Sequence, residues 1–269
     1  MNINNRESWF NFIDIIDIIG IFLWSLLLFK YWLTGQLNLL IHPNYFLLVF
    51  ITSILLFLLS IAKSISIFIK SKQKPNINNS TNNQHTNLLP KGWASSLLIV
   101  VAILGLIIQP TVLSSQTAIQ RGVTDSLPPT TLETQSFLTQ TPPEKRSLIE
   151  WVRTLNAYPE PDNYTGQKAH ITGFVVHLDH LPDNYIYLSR FILTCCAVDA
   201  YPVGIVVELP KSRQEFPPDS WLEIQGMMKT ETLPSLDSSS QDTNREKRQL
   251  VLQAGNVQII PTPSNPYSY

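Results

Sequence analysis

The sequence predicts a bipartite chain. A membrane α-helical N-terminal part with three transmembrane helices precedes a small all-β C-terminal domain, an OB-like five-stranded barrel with one leading helix. Three observations predict it. Only 14% of the 269 residues are charged, against about 25% in a typical soluble domain. The charge is also unevenly placed. Residues 1–110 hold Arg6, Lys30, Lys63, Lys70, Lys72, Lys74 and Lys91 against Glu7, Asp14 and Asp17, a balance of +4, so the rest carries −5 of a total of −1. Finally, short β-rich runs separated by turn residues fill the last hundred positions. The mean hydropathy of +0.06 therefore averages two unlike materials. This excludes a single soluble globule, a basic nucleic-acid binder and a collagen-like or wholly disordered chain. Two cysteines exclude a multi-disulfide scaffold.

The membrane domain is expected over residues 1–110, with spans over about 15–33, 45–62 and 92–109. The first run is almost entirely Ile, Leu, Phe, Trp and Tyr, with Asp17 and Lys30 near its ends. Charges so placed reach the headgroups by snorkelling. The second run has no charge and is long enough for a ~30 Å hydrocarbon core. The third is charge-free but short, bracketed by Trp93 and Pro110. Buried helices of a soluble protein are the competing reading, but such helices carry a polar face, and the second run offers only Thr52, Ser53 and Ser60. A signal peptide fits poorly, because no basic segment leads a single apolar stretch.

Lysine placement sets the expected orientation. Residues 34–44 contain no Lys or Arg, whereas Lys63, Lys70, Lys72, Lys74 and Lys91 follow the second span. That loop, and with it the N-terminus, is expected in the cytoplasm. The third span then carries everything after Pro110 out of the cytoplasm. The expected localisation is multi-pass, in the inner or plasma membrane, with an extracytoplasmic C-terminal domain.

Residues 71–90 are rich in Asn, Gln, Ser and Thr and read as a loop with a solvated His85. Residues 111–146 read as a Pro/Ser/Thr-rich tether. The β domain is expected over 147–269. A short amphipathic helix starts at Ser147, because Leu148, Ile149, Trp151, Val152 and Leu155 recur at helical spacing. Pro159 and Pro161 end it. Strands are expected over 169–177, 185–193, 203–209, 221–228 and 249–260, the last broken at Gly255 and Asn256, with the polar stretch 231–247 as a connection. Five short strands in about 95 residues fit a small barrel, and Gly173 and Gly226 suggest the coiling or bulges that closure needs. The net negative charge of this part repels phosphate backbones, so no nucleic-acid partner is expected.

The chemistry-bearing cluster is Arg190-Phe191-Ile192-Leu193-Thr194-Cys195-Cys196-Ala197-Val198-Asp199. Thiolates bind soft or borderline cations, and a carboxylate or imidazole can complete the shell. Cys195, Cys196 and Asp199 are the candidate ligands for a soft metal or metalloid ion. His177, and also His180, would join them if the first two strands pair so as to bring them close. Two other readings stand beside this one: buried cysteines acting as small hydrophobes, and a strained vicinal disulfide. No enzyme constellation is evident: no Walker loop, dinucleotide fingerprint, Gly-x-Ser-x-Gly elbow or His-Glu-x-x-His. Glu208 and Glu223 lie in strands without an evident partner.

The segments Ile171-Thr172-Gly173-Phe174-Val175, Thr194-Cys195-Cys196-Ala197-Val198-Asp199-Ala200, Pro202-Val203-Gly204-Ile205-Val206-Val207-Glu208 and Trp221-Leu222-Glu223-Ile224-Gln225-Gly226 resemble the YcgQ-like family. These are uncharacterised bacterial membrane proteins described as permease subunits. The three spans and the Asn265-Pro266-Tyr267 tail are similar too. The resemblance implies a companion, a multi-span permease of the YraQ type, and a non-catalytic accessory role. The family's His- and Asp-rich loop between the second and third spans is replaced here by Asn, Thr and Ser around His85. That leaves Cys195, Cys196 and Asp199 as the candidate metal ligands, with a membrane-tethered metal or metalloid binding module as the alternative function.

Overall fold

A computed structural model describes residues 3–72, 93–123, 141–235 and 246–269. They divide into two compact units, Met1–Thr111 and Val112–Tyr269.

Among the described residues the first unit contains three α-helices: α1 (Ile3–Leu33), α2 (Phe46–Lys72) and α3 (Trp93–Ile107). Two of them, over Asp14–Leu33 and Pro43–Ile69, are long and apolar enough to cross a membrane, while α3 is a shorter apolar helix. α2 runs ten residues beyond the expected end at Ala62. Lys63 and the serines after it do not break a helix, because Ser64 and Ser66 donate their hydroxyls to carbonyls one turn back, at 2.8 and 2.9 Å. His85 and most of the expected 71–90 loop lie outside the described residues.

α2 runs antiparallel to α1, with Trp32 against Phe50 (centroids 4.5 Å) near one end and Phe22 against Phe57 further along. α3 runs parallel to α1. Trp24 Nε1 donates to the Leu98 carbonyl (3.1 Å), Lys30 Nζ to that of Leu106 (2.7 Å) and Tyr31 Oη to that of Gly105 (2.7 Å). The Ser95 hydroxyl donates to Asp17 Oδ1, and Lys63 Nζ stands 3.7 Å from Asp17 Oδ2. These polar contacts link the helices, whereas Leu47, Leu48, Leu55, Leu58, Leu97 and Ile107 are exposed. Helices in lipid are built this way, with polar groups paired inward and apolar groups outward.

The second unit carries α4 (Ser115–Arg121), α5 (Leu148–Ala157) and six strands: β1 (Lys168–Val176), β2 (Tyr185–Ile192), β3 (Tyr201–Glu208), β4 (Trp221–Pro234), β5 (Glu246–Ile260) and β6 (Tyr267–Ser268). The sheet order is β1-β4-β5-β3-β2-β6, and β1 also pairs with β2. Each of the five long strands therefore pairs with two of the other four, and the pairings return to β1. β3 and β5 are parallel; the other pairs among these five are antiparallel. The sixth strand is a two-residue addition from the tail, parallel to β2.

α5 begins with a capping box, Ser147 and Glu150 satisfying each other's backbone N–H. It buries Leu148, Ile149, Trp151 and Val152 against Ile171, Val175, Leu188, Val203, Leu222, Ile224 and Leu252. Alternate positions face outward into a second apolar layer, in which Phe174 stacks on Phe191 (5.3 Å) and also packs on Trp221, while Phe191 meets Tyr267 edge-on.

Three expectations change. The tether is not free over its first part. α4, capped by Ser114, buries Ala118 on this unit, and Val123 just after it is buried too. The Leu113 N–H donates to Tyr267 Oη at 2.9 Å, and the Ser115 N–H donates to Asp219. Small apolar residues among Ser, Thr and Gln were enough to dock it; 124–140 lie outside the described residues. Next, the last strand is not broken. Gln225 pairs with Asn256 and Gly226 with Ala254, so Gly255 is the extra residue of a β-bulge. A Cβ on Gly226 would stand 2.0 Å from the Gln253 carbonyl oxygen, so only glycine permits this approach. Finally, β4 and β5 extend into the polar 231–247 stretch, because Glu231–Pro234 pair with Glu246–Gln249 and a ladder needs backbone groups rather than apolar side chains. Residues 236–245 between them are outside the described set.

Candidate metal centre

The β2–β3 connection carries the candidate ligands. Ile192 pairs with Tyr201, so residues 193–200 form the loop closing that hairpin. Leu193 is buried, its N–H donating to the Ser268 carbonyl at 2.9 Å, which fixes the entry. The chain then turns outward. Cys195 is exposed, Cys196 half-buried, and Val198 at the tip is 85% exposed.

Asp199 organises the turn. Its Oδ2 accepts the Cys195 N–H at 2.9 Å and its Oδ1 the Cys196 N–H at 3.0 Å, and the Thr194 hydroxyl also donates to Oδ2. The Asp199 N–H returns to the Cys196 carbonyl at 3.1 Å. Partial burial pushes this carboxyl up, but the bonds from Thr194, Cys195 and the two backbone amides outweigh it and hold it at about 2. The same carboxylate, with Cys196, pushes the Cys195 thiol up to about 11. The two Sγ atoms are 3.7 Å apart, and the ligand atoms of Cys195, Cys196 and Asp199 all lie within 4.8 Å of one another. From α4, Arg121 donates Nη1 to the carbonyls of Ala197 (3.2 Å) and Ala200, bracing the far side of the loop.

His177 is not brought to this cluster. Strands β1 and β2 do pair, but Phe174 opposes Ser189 and Val176 opposes Tyr187. His177 therefore sits at the end of the ladder nearest the β1–β2 turn, while the cysteines follow the far end of β2. Its Nε2 lies 2.9 Å from the Phe216 carbonyl oxygen. His180 is in that same turn, its basicity lowered by burial despite the neighbouring Asp179. An antiparallel hairpin brings together residues near its turn and separates those beyond its ends, so pairing and proximity were opposed here.

The strand carboxylates do have partners. Glu223 Oε1 is 2.5 Å from His170 Nε2. Glu208 meets Lys229 Nζ at 2.8 Å, and Lys229 also meets Glu231 at 2.9 Å. Tyr185 Oη donates to Glu231 at 2.9 Å; burial first, then this bond, pushes Tyr185 up to about 12. Glu208 also borders an open groove of about 540 Å³ lined by Asn184, Pro210, Met227 and Gln253. This network lies at the Tyr185–Glu208 end of the β2–β3 ladder, opposite the cysteine loop.

Sequence reasoning placed Thr194 in the cluster without assigning its hydrogen bond to Asp199, and missed Arg121. The short Thr-Cys-Cys-x-x-Asp spacing lets the Asp199 carboxylate reach back to the N–H groups three and four residues earlier; nothing in the sequence links position 121 to the loop.

No curated protein matches the sequence. The DUF1980 N-terminal domain matches residues 16–124 and the DUF1980 C-terminal domain residues 144–269. The first match takes in α1 from residue 16 on, α2, α3 and α4, the second α5 and all six strands. With both domains present and in order, the chain belongs to the DUF1980 family.

Proposed function

We propose that this chain is a non-catalytic accessory subunit of a membrane permease. Three helices anchor it in the inner or plasma membrane, with the N-terminus cytoplasmic, and its β domain, an OB-like barrel, is extracytoplasmic. The observation that carries the reading is the exposed apolar surface of the helical unit. Leu47, Leu48, Leu55, Leu58, Leu59, Phe68 and Leu97 are all exposed, whereas a soluble monomer keeps such surface in small patches. A bilayer, or other helices within it, would cover these faces.

The third span is supported by packing. α3 tracks α1 in parallel from Asp17–Ser95 to Lys30–Leu106, about 16 Å of helix rise along α3. This parallel packing supports reading α3 as a third span beside α1. The OB-like reading is supported by the pairings that return to β1 with β3 and β5 parallel. The permease partner, of the multi-span YraQ type, rests on the resemblance of the segments around Gly173, Cys195 and Gly226.

Co-purification tests the subunit role. A tagged full-length chain, solubilised from its native membranes in mild detergent, brings down a multi-span transporter. If none accompanies it, the subunit reading fails.

A further inference from the structure

We propose that the Thr194–Asp199 loop is a two-thiolate chelate for a divalent cation of the zinc type, with Cys195 Sγ and Cys196 Sγ as its ligands and Asp199 as the clamp that aims them. This does not depend on the permease reading.

The bite carries the argument. Two thiolates on a tetrahedral ion with ~2.3 Å metal–sulfur bonds are about 3.8 Å apart. The two sulfurs here already stand 3.7 Å apart, the separation that such an ion requires. Asp199 is committed otherwise. Both its oxygens accept N–H groups from the cysteines, and Oδ2 also takes the Thr194 hydroxyl. It therefore fixes the backbone beneath the sulfurs, the supporting role that groups behind the ligands play in metal sites. The charges fit a divalent ion: two thiolates and Asp199 bring −3, Arg121 brings +1, and the sum of −2 is neutralised on binding. Each S–H bond gives way to an S–metal bond, and two protons pass to solvent.

The protein supplies two of four tetrahedral positions. Cys195 and Val198 are exposed, so the remaining positions open outward to water or to incoming donor groups. A site so built holds an exchangeable ion rather than a structural one, since structural zinc sites close all four positions.

The test uses the reduced full-length chain in detergent, titrated with Cd(II) as a spectroscopic probe and with Zn(II) in competition. The expected result is one ion per chain with an ultraviolet thiolate-to-metal charge-transfer band that Zn(II) displaces. Cys195→Ser and Cys196→Ser each remove most of the band; neither cysteine is in the core, Cys195 being exposed and Cys196 half-buried, so the fold persists, which circular dichroism checks. Asp199→Asn keeps the thiols and weakens affinity by about 10–100-fold. His177→Ala changes nothing. Binding without the band, or binding equally strong in the double serine variant, overturns the proposal. So does an Asp199→Asn variant that binds as the parent does, since the clamp would then be idle.

Discussion

Replacing Asp199 with alanine removes the acceptor of three hydrogen bonds at once: those from the Cys195 N–H, the Cys196 N–H and the Thr194 hydroxyl. At roughly 0.5–1 kcal/mol for each bond in a solvated loop, the cost is about 2 kcal/mol. The acidity of the group leads to a compatible figure. A carboxyl held at about 2 rather than 3.8 is worth at most about 2 kcal/mol, and partial exposure to solvent reduces that to about 1 kcal/mol. The folded-state value is depressed, so this stability is fully present above pH 4 and is lost as pH falls through about 2. The assay is residue-resolved hydrogen exchange in the full-length chain, with rates referred to the unprotected amide. In the parent the Cys195 and Cys196 amides are protected. In Asp199→Ala they exchange about 5–30-fold faster, the equivalent of 1–2 kcal/mol, while β2 and β3 amides are unaffected. Should those two amides already exchange freely in the parent, or stay protected in the variant, the clamp does not exist and the arrangement of the thiols has another cause.

Two further outcomes follow from packing. Trp151→Ala empties a fully buried indole site in the core and destabilises the β unit by about 3–5 kcal/mol, read as a lower denaturant midpoint; a loss under 1 kcal/mol would mean that α5 is not part of the core. Gly105→Leu introduces a side chain where even a Cβ would stand 3.0 Å from Leu27 Cδ2. It separates α3 from α1 and breaks the Tyr31–Gly105 bond, worth about 0.6–1.7 kcal/mol. A cysteine pair placed across α1 and α3 then crosslinks more slowly, whereas an unchanged rate would refute close packing there.

Much of the architecture is local in origin and so could be read from the chain. Apolar runs of eighteen or more residues read as helices covered by lipid or by protein, because they are too long for strands and leave no polar face. Ser147 and Glu150 start α5 by contacts three residues apart, and alternating β-branched residues bounded by Pro, Asn and Asp delimit the strands. The cysteines and Asp199 are also neighbours in sequence, so their meeting needed only a turn.

What the sequence by itself determined is therefore composition-driven: an apolar helical part, a β-rich part, and one short loop that sets two adjacent thiols beside a carboxylate. What only tertiary structure decided are the partners brought from afar. Ser95 bonds to Asp17 across seventy-eight positions, Arg121 braces Ala197 and Ala200, and Glu208 and Glu223 find Lys229 and His170. Ladder register, which a sequence specifies only through both strands together, sent His177 to one end of the β1–β2 pair and the thiols past the other.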